Sequence, residues 1–178
     1  MSSELHIVGF KIGRESYGVP ITSLHEIVRV PEITAVPDAP DYMEGVINLR
    51  GKIVSVLDLR KRLGETQVIP NKRNRILVLE HKGRLSGLIV DSASEVLKIP
   101  GTDVEPPPTE FLSGGLNCVT GLGKCRGRLI VLLDMAKLLE ASTARHKSNT
   151  SEDKPAPAAA TGARQGAGQS KLTGDEER

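Results

Sequence analysis

Histidine and cysteine are the side chains in this sequence best suited to acid–base, nucleophilic or metal chemistry. The four histidines are His6, His25, His81 and His146. None has the Ser, Cys or Asp pattern around it that is typical of a catalytic triad. Cys118 and Cys125 have the spacing of neither a Cys-x-x-Cys motif nor a zinc ligand set, and one pair makes no disulfide framework. The sequence therefore predicts a protein that is not an enzyme, with no metal site, no cofactor and two ordinary thiols.

Two closely spaced glycines, Gly121 and Gly123, raise the question of a phosphate-binding loop. Such a loop continues with Lys followed by Ser or Thr and then a long helix. Here Gly123 is followed by Lys124 and Cys125, so we expect no phosphate site. A sensor that holds a small molecule, of purine or nucleotide type, in a pocket is the alternative function, and ligand-induced thermal stabilisation would test it.

Charge and composition argue against nucleic-acid binding and against insertion into a membrane. The formal net charge is +2, which gives no concentrated positive field for a nucleic-acid backbone. The aromatic residues, Phe10, Tyr17, Tyr42 and Phe111, are too few to form stacking platforms for bases. The longest apolar run, 129–133, is too short to span a bilayer, and the first residues have no signal-peptide pattern. We expect a cytoplasmic protein that neither binds nucleic acid nor inserts into a membrane.

An internal repeat organises most of the chain. Residues 18–31 align with residues 87–100, and residues 45–63 align with residues 121–139. Identical pairs in the second block include Gly45 and Gly121, Arg50 and Arg126, Gly51 and Gly127, and Asp58 and Asp134. Two blocks that match in the same order indicate a duplicated module, with extra residues in the second copy around 109–115.

Each copy of the module is predicted to contain five short strands, because apolar β-formers alternate with turn residues. The predicted strands are 5–12, 17–21, 27–30, 46–49 and 53–57 in the first copy, and 75–80, 85–90, 96–99 and a hairpin in the second. Gly51 suits the tip of the first hairpin, where the turn requires a positive φ. Two sets of five strands predict a mainly β fold of two small barrels.

Polar residues beside these strands suit helix caps. Ser23 with Glu26, and Ser92 with Glu95, have the spacing of a capping box, which predicts one helical turn before the next strand. Asp58, like its counterpart in the second copy, suits the N-cap of a short helix, and Gly64 suits the position after that helix.

Composition changes after residue 140. In residues 141–178 Leu172 is the only large aliphatic side chain, and small or turn-forming residues dominate. Such a segment buries too little apolar surface to offset the entropy of ordering. We predict a disordered, low-complexity tail at 141–178 and a folded region at about 4–140.

The motifs of the folded region resemble the CheW family of bacterial chemotaxis coupling proteins. They are Tyr17-Gly-Val-Pro-Ile21, Leu24-His-Glu-Ile27, Gly45-Val-Ile-Asn-Leu-Arg-Gly51, Ile53-Val-Ser-Val-Leu-Asp-Leu-Arg60, and Gly121-Leu-Gly123 with Arg128-Leu-Ile-Val-Leu-Leu-Asp134. The combination of the Asn-Leu-Arg-Gly hairpin with the Asp-Leu-Arg segment is the specific part. The resemblance covers about residues 4–140.

The resemblance implies a fold and a set of partners. The fold is two five-stranded SH3-like barrels around a shared hydrophobic interior, the first at about 14–73 and the second at about 74–140 together with the N-terminal strand 5–12. The implied function is a non-enzymatic scaffold that couples the cytoplasmic tips of chemoreceptors (methyl-accepting chemotaxis proteins) to the regulatory domain of a CheA-type histidine kinase. Other CheW-like proteins in arrays are further expected partners, and receptor arrays would bring the protein to the membrane indirectly.

The resemblance also implies a partner-binding surface on the first barrel. Glu26 and Arg50 match partner-facing residues, and Leu24 matches an apolar position near the receptor-binding groove. The residue types leave other roles open, since Glu26 also fits a cap and Asn48 fits a hairpin stabilised by bonds to its backbone. We do not extend the role of Arg50 to Arg126, because the second hairpin lacks Asn-Leu. The predicted partner-binding residues are Leu24, Glu26, Asn48, Leu49, Arg50 and Gly51.

Overall fold

Short β-strands make up most of the described chain. The computed structural model describes residues 3–113 and 117–140, so the predicted tail at 141–178 lies outside the described residues. The strands are β1 (Glu4–Ile12), β2 (Glu15–Pro20), β3 (Leu24–Arg29), β4 (Met43–Leu49), β5 (Lys52–Asp58), β6 (Arg75–His81), β7 (Arg84–Val90), β8 (Ser92–Pro100), β9 (Val104–Glu105), β10 (Val119–Cys125) and β11 (Arg128–Leu133). The helices are α1 (Leu59–Arg62) and α2 (Thr109–Ser113), with 3-10 turns at Ile21–Ser23 and Gly101–Asp103. Residues 135–140 are also helical. The predicted mainly β fold is confirmed.

The two copies of the module exchange their first hairpins. One sheet has the order β3-β6-β7-β5-β4, and the other has the order β8-β1-β2-β11-β10-β9. The β1–β2 hairpin of the first copy therefore lies among strands of the second copy, and the β6–β7 hairpin of the second copy lies among strands of the first. The exchange is reciprocal, since β2 runs parallel to β11 and β7 runs parallel to β5.

This exchange means that the sheets do not divide at residue 73, where the first predicted barrel ends. The strand at 5–12 does pair with the second copy, as the resemblance implied. However, β2 accompanies it, and β6 and β7 belong to the five-stranded sheet. The physical reason is that equivalent strands carry the same apolar pattern, so the pattern alone does not say which copy a hairpin joins.

The core has three parts because strands in the middle of each sheet are buried on both faces. Along β6, Ile76 and Val78 pack in a cluster inside the five-stranded sheet, whereas Leu77 and Leu79 face a central cluster shared by both sheets. A third cluster, around Ile99, lies inside the six-stranded sheet. Each sheet therefore folds over its own small core, and the central cluster joins the two.

The predicted aspartate caps are present. The Asp58 carboxylate accepts the backbone N–H of Arg60 at 2.9 Å at the start of α1. The Asp134 carboxylate accepts the backbone N–H of Lys137 at 3.2 Å. Gly64 follows α1 with a φ of 99°, a conformation that favours glycine.

The predicted capping boxes are wrong. Ser23 ends the 3-10 turn Ile21–Ser23, which has no side-chain cap, and Glu26 lies inside β3. Ser92 and Glu95 both lie inside β8. A capping bond is worth about 1 kcal/mol, whereas β3 and β8 gain whole ladders of backbone bonds with β6 and β1. The backbone hydrogen bonds of the strands therefore stabilise this region more than a capping box would.

Candidate functional site

A β-bulge sets the direction of Glu26. The register of β3 against β6 slips between Leu24, which pairs with Leu79, and Glu26, which pairs with Val78, so His25 is an extra residue. Neighbouring residues of β6 face opposite sides of the sheet. The bulge therefore leaves Leu24 partly buried against the central cluster and turns Glu26 to the other face.

A tight turn presents Arg50. Arg50 and Gly51, the two residues between β4 and β5, have φ values of 50° and 83°, as a type I′ hairpin turn requires. The side-chain oxygen of Asn48 accepts the Gly51 N–H at 2.8 Å, which confirms its predicted bond to the backbone. Leu49 is partly buried in the cluster of the five-stranded sheet. Arg50 is thus held at the tip by residues that are themselves fixed.

The structure brings Glu26 and Arg50 together. Arg50 Nη2 donates a hydrogen bond to Glu26 Oε2 at 3.1 Å, across the gap between the two outer strands of the five-stranded sheet. The Arg50 side chain is 80% exposed and that of Glu26 is 19% exposed. An ion pair with so exposed a partner contributes about 0–1 kcal/mol. Stability alone gives little reason for this pair.

Two exposed apolar side chains accompany the ion pair. Ile27 follows Glu26 in β3, on the opposite face of the strand, and is 42% exposed. Ile53 is the register partner of Asn48, beside the hairpin tip, and is 69% exposed. Charged groups flanked by exposed aliphatic side chains are typical of a protein-binding surface. We call Glu26, Arg50, Ile27 and Ile53 the first ion-pair surface.

The second copy repeats this arrangement. A register slip against β1 precedes Glu95, as it does Glu26. The Glu95 carboxylate accepts hydrogen bonds from Arg126 at 3.3 Å and from Arg128 at 3.5 Å. Val96 and Leu129, the counterparts of Ile27 and Ile53, are 54% and 52% exposed. We call these five residues the second ion-pair surface. Sequence analysis missed it, although the pairing of Glu26 with Glu95 and of Arg50 with Arg126 in the repeat was the available signal.

An apolar groove opens beside the helical residues 135–140. Its volume is about 360 Å³, and Met43, Leu57, Leu85 and Leu139 line it together with polar residues that include Lys82. Lys82 donates a hydrogen bond to Glu140 at 2.9 Å at the rim. The walls come from segments far apart in sequence, so no local motif could have predicted this groove. Leu24 does not line it.

The residues considered first for chemistry occupy ordinary positions. No group of His, Cys, Asp and Glu within 3–113 and 117–140 is arranged to hold a metal ion. Cys118 is buried, and desolvation raises the pKa of its thiol. In the part of the chain that the structure describes, no helix has the length and apolarity needed to cross a bilayer. His146 lies outside the described residues.

Comparisons with known proteins identify a family for this chain. The family model described as "CheW-like domain" matches residues 6–143. "Chemotaxis protein CheW" of Helicobacter pylori is 38% identical over 76% of this chain and 82% of its own length, and "Protein FrzA" of Myxococcus xanthus is 30% identical over 78% and 86%. The crystal structure of the scaffolding protein TtCheW from Thermoanaerobacter tengcongensis has a TM-score of 0.70 and 36% identity, covering 78% of this chain and 94% of that one. This chain therefore belongs to the CheW family of chemotaxis scaffold proteins, which are not enzymes.

Proposed function

We propose that this protein is a cytoplasmic adaptor that couples the tips of chemoreceptors to the regulatory domain of a CheA-type histidine kinase. The kinase domain docks on the first ion-pair surface. The observation that carries the proposal is the Glu26–Arg50 pair, which a bulge and a type I′ turn place at the rim of a sheet. Family membership supplies the class of partner.

The first ion-pair surface suits a partner that is itself a small β-module. It lies beside β3 and β4, the outer strands of the five-stranded sheet, and β-modules associate readily through outer strands; the backbone of Thr34 already bonds β4 at Val46. Its two charges fix the orientation of the partner, and its exposed isoleucines supply apolar contact. The second ion-pair surface repeats these features, and we assign it to a second CheW-like or kinase module in an array.

Charge reversals test the kinase contact. We expect Arg50→Glu and Glu26→Lys each to weaken binding of the purified kinase regulatory domain by at least about tenfold, because each leaves a partner charge unmatched at the interface. The melting temperature of Arg50→Glu should change little, because the Arg50 side chain is 80% exposed. Binding is measured by isothermal titration calorimetry on full-length protein.

A double variant separates binding from stability. Glu26→Arg combined with Arg50→Glu restores an ion pair within the chain but presents reversed charges to the partner. We expect it to remain weak in binding. Lys124→Glu is the matched control, because Lys124 pairs with Glu105 at 2.6 Å and both side chains are exposed. Binding that survives every reversal at Glu26 and Arg50 would move the kinase site elsewhere, and no binding by the wild type would refute the coupling function.

The apolar groove is the proposed site for the receptor tip. Helical segments dock an apolar stripe into such grooves, with charges placed at the rim. Leu85→Asp, inside the groove, should abolish co-sedimentation with a receptor tip fragment while kinase-domain binding persists. If Leu85→Asp also loses kinase-domain binding, the substitution disturbs the fold as a whole, and the result does not support a receptor site in the groove.

The volume of the groove is the one observation that favours the alternative, a small-molecule sensor. At about 360 Å³ it falls within the range of ligand pockets. Thermal stabilisation by purines or nucleotides that Leu85→Asp removes would support that function. An unchanged melting temperature across those ligands would reject it.

A further inference from the structure

Arg60 is the most highly bonded buried cation of the described chain, and neither ion-pair surface uses it. Its side chain is 7% exposed. Nε and Nη2 donate to the two carboxylate oxygens of Asp58 at 3.0 and 2.7 Å, and Nη1 donates to Asp91 at 3.1 Å. One guanidinium thus joins two carboxylates.

Asp91 lies where the chain passes from one sheet to the other. It falls between β7 of the five-stranded sheet and β8 of the six-stranded sheet. Its second carboxylate oxygen accepts the Gly13 N–H at 2.7 Å, and its own N–H donates to the Lys11 carbonyl at 3.0 Å. Lys11 lies near the end of β1 and Gly13 lies in the turn into β2, so these bonds fix Asp91 to the six-stranded sheet. The bonds from Asp58 through Arg60 and Asp91 to Gly13 therefore connect the two sheets.

The rest of the junction is of a different kind. The central cluster between the sheets is apolar, and apolar association resists separation without specifying direction. A guanidinium bonded to two carboxylates fixes angles as well as distances. The repeat does not duplicate this device, because Ala136 stands where the second copy would need Arg60, and Thr22 stands where the first copy would need Asp91. Among the described residues, this ionic network is therefore present at only one of the two equivalent positions of the repeat.

We propose that Arg60 is a positioning residue, which sets the angle between the two sheets through Asp91 and so sets the relative direction of the two ion-pair surfaces. The first ion-pair surface belongs to the five-stranded sheet and the second to the six-stranded sheet. An adaptor that holds two partners at once depends on this angle, whereas binding to one surface does not. The consequence for a bridged complex rests on the proposed function, but the angle itself is a property of this chain.

Distance measurements between the sheets test the proposal directly. Spin labels are attached at Lys52→Cys and Thr102→Cys, both exposed, in full-length protein whose native thiols are replaced by Cys118→Ala and Cys125→Ser. The test variants are Arg60→Lys and Asp91→Asn. Lysine keeps the charge but lacks the fork that reaches two carboxylates. Asparagine keeps an oxygen for the Gly13 N–H and removes the negative charge facing Arg60. Glu105→Gln, which removes an exposed pair away from the junction, is the matched control.

We expect both test variants to broaden or shift the distance distribution between electron spins, while the control matches the parent. Each variant is also checked for a cooperative melt, and Asp91→Asn, at a carboxylate that is 38% exposed, keeps the test valid if Arg60→Lys does not fold. In the unlabelled protein, single-surface binding of the kinase regulatory domain should be unchanged in Asp91→Asn. Identical distributions in folded test variants and parent would overturn the positioning role. Failure of wild-type protein to bind the kinase domain would overturn the proposed function alone.

Discussion

Individual residues at the first ion-pair surface act through the backbone that holds them. Arg50 has a positive φ, which is uncommon for a residue with a side chain, and it adopts it because the type I′ turn demands it at both central positions. Glu26 meets Arg50 because His25 is an extra residue in β3. Sequence analysis predicted Glu26 and Arg50 as partner-binding residues and placed Arg50 at a hairpin tip. The bulge has no local sequence signature, so Glu26 fitted a helix cap as well as it fitted a binding surface.

Substitution of two glycines near the first ion-pair surface should lower the free energy of unfolding by different amounts. Gly45 has a φ of 141°, and a Cβ there would lie 2.0 Å from the Thr34 carbonyl oxygen, where a bridge between Thr34 and Val46 brings the backbones together. We expect Gly45→Ala to lower the free energy of unfolding by about 3 kcal/mol or more, from backbone strain and the clash.

Gly51→Ala is the matched control for that change. Its φ is 83°, but a Cβ there would meet nothing within 4 Å. We expect a loss of only about 1–2 kcal/mol, the cost of the left-handed conformation. Urea denaturation of both variants measures the two free energies of unfolding. An equal loss of free energy at the two positions would show that the approach of Thr34 does not constrain Gly45.

At the scale of elements, the repeat itself provides paired experiments. Asp58 and Asp134 both cap a helical turn, but Asp58 also holds Arg60, whereas Ala136 occupies the equivalent place in the second copy. Sequence analysis predicted both caps correctly. It missed the ion network, because Asp91 is distant in sequence and only the fold brings it to Arg60.

The same substitution at these two caps should therefore have different effects. Asn caps a helix about as well as Asp, so Asp134→Asn should change the free energy of unfolding by less than about 1 kcal/mol. Asp58→Asn removes a buried counter-charge of Arg60 and should lose about 3–5 kcal/mol. Guanidinium denaturation at neutral pH measures both, and similar losses would mean that Asp58 acts as a cap alone.

For the whole molecule, the exchange of hairpins is what the sequence could not specify. The strand positions, the mainly β class and the duplication could all be predicted from the sequence, because period-two apolar patterns and turn residues are signals within short segments of the chain. Which copy each hairpin joins depends on two equivalent contacts, β1 with β8 and β6 with β3, and the equivalent strands β1 and β6 have similar apolar patterns. The predicted ranges 14–73 and 74–140 divide the chain into two consecutive segments. Each sheet instead contains strands from both segments, because the hairpins are exchanged.

The exchange predicts that neither half of the chain folds alone. A fragment 1–73 would keep β3, β4 and β5 without β6 and β7, which lie between β3 and β5 in the sheet, and its β1–β2 hairpin would lack β8 and β11. A fragment 74–178 would lack the β1–β2 hairpin that lies between β8 and β11, and its β6–β7 hairpin would lack β3 and β5. Each should give a disordered circular dichroism spectrum and no cooperative melt, because its central apolar residues have no partner face.

Mixing the two fragments should restore the native spectrum, since every missing strand is then supplied by the other fragment. The control is the intact chain with a protease site inserted at 65–70 and cleaved after folding, which we expect to remain one complex on gel filtration. Independent folding of either fragment would contradict the exchanged pairing. Restoration only on mixing would show that the two copies form one cooperative unit, so that a partner bound to one sheet acts on a molecule whose other sheet cannot unfold independently.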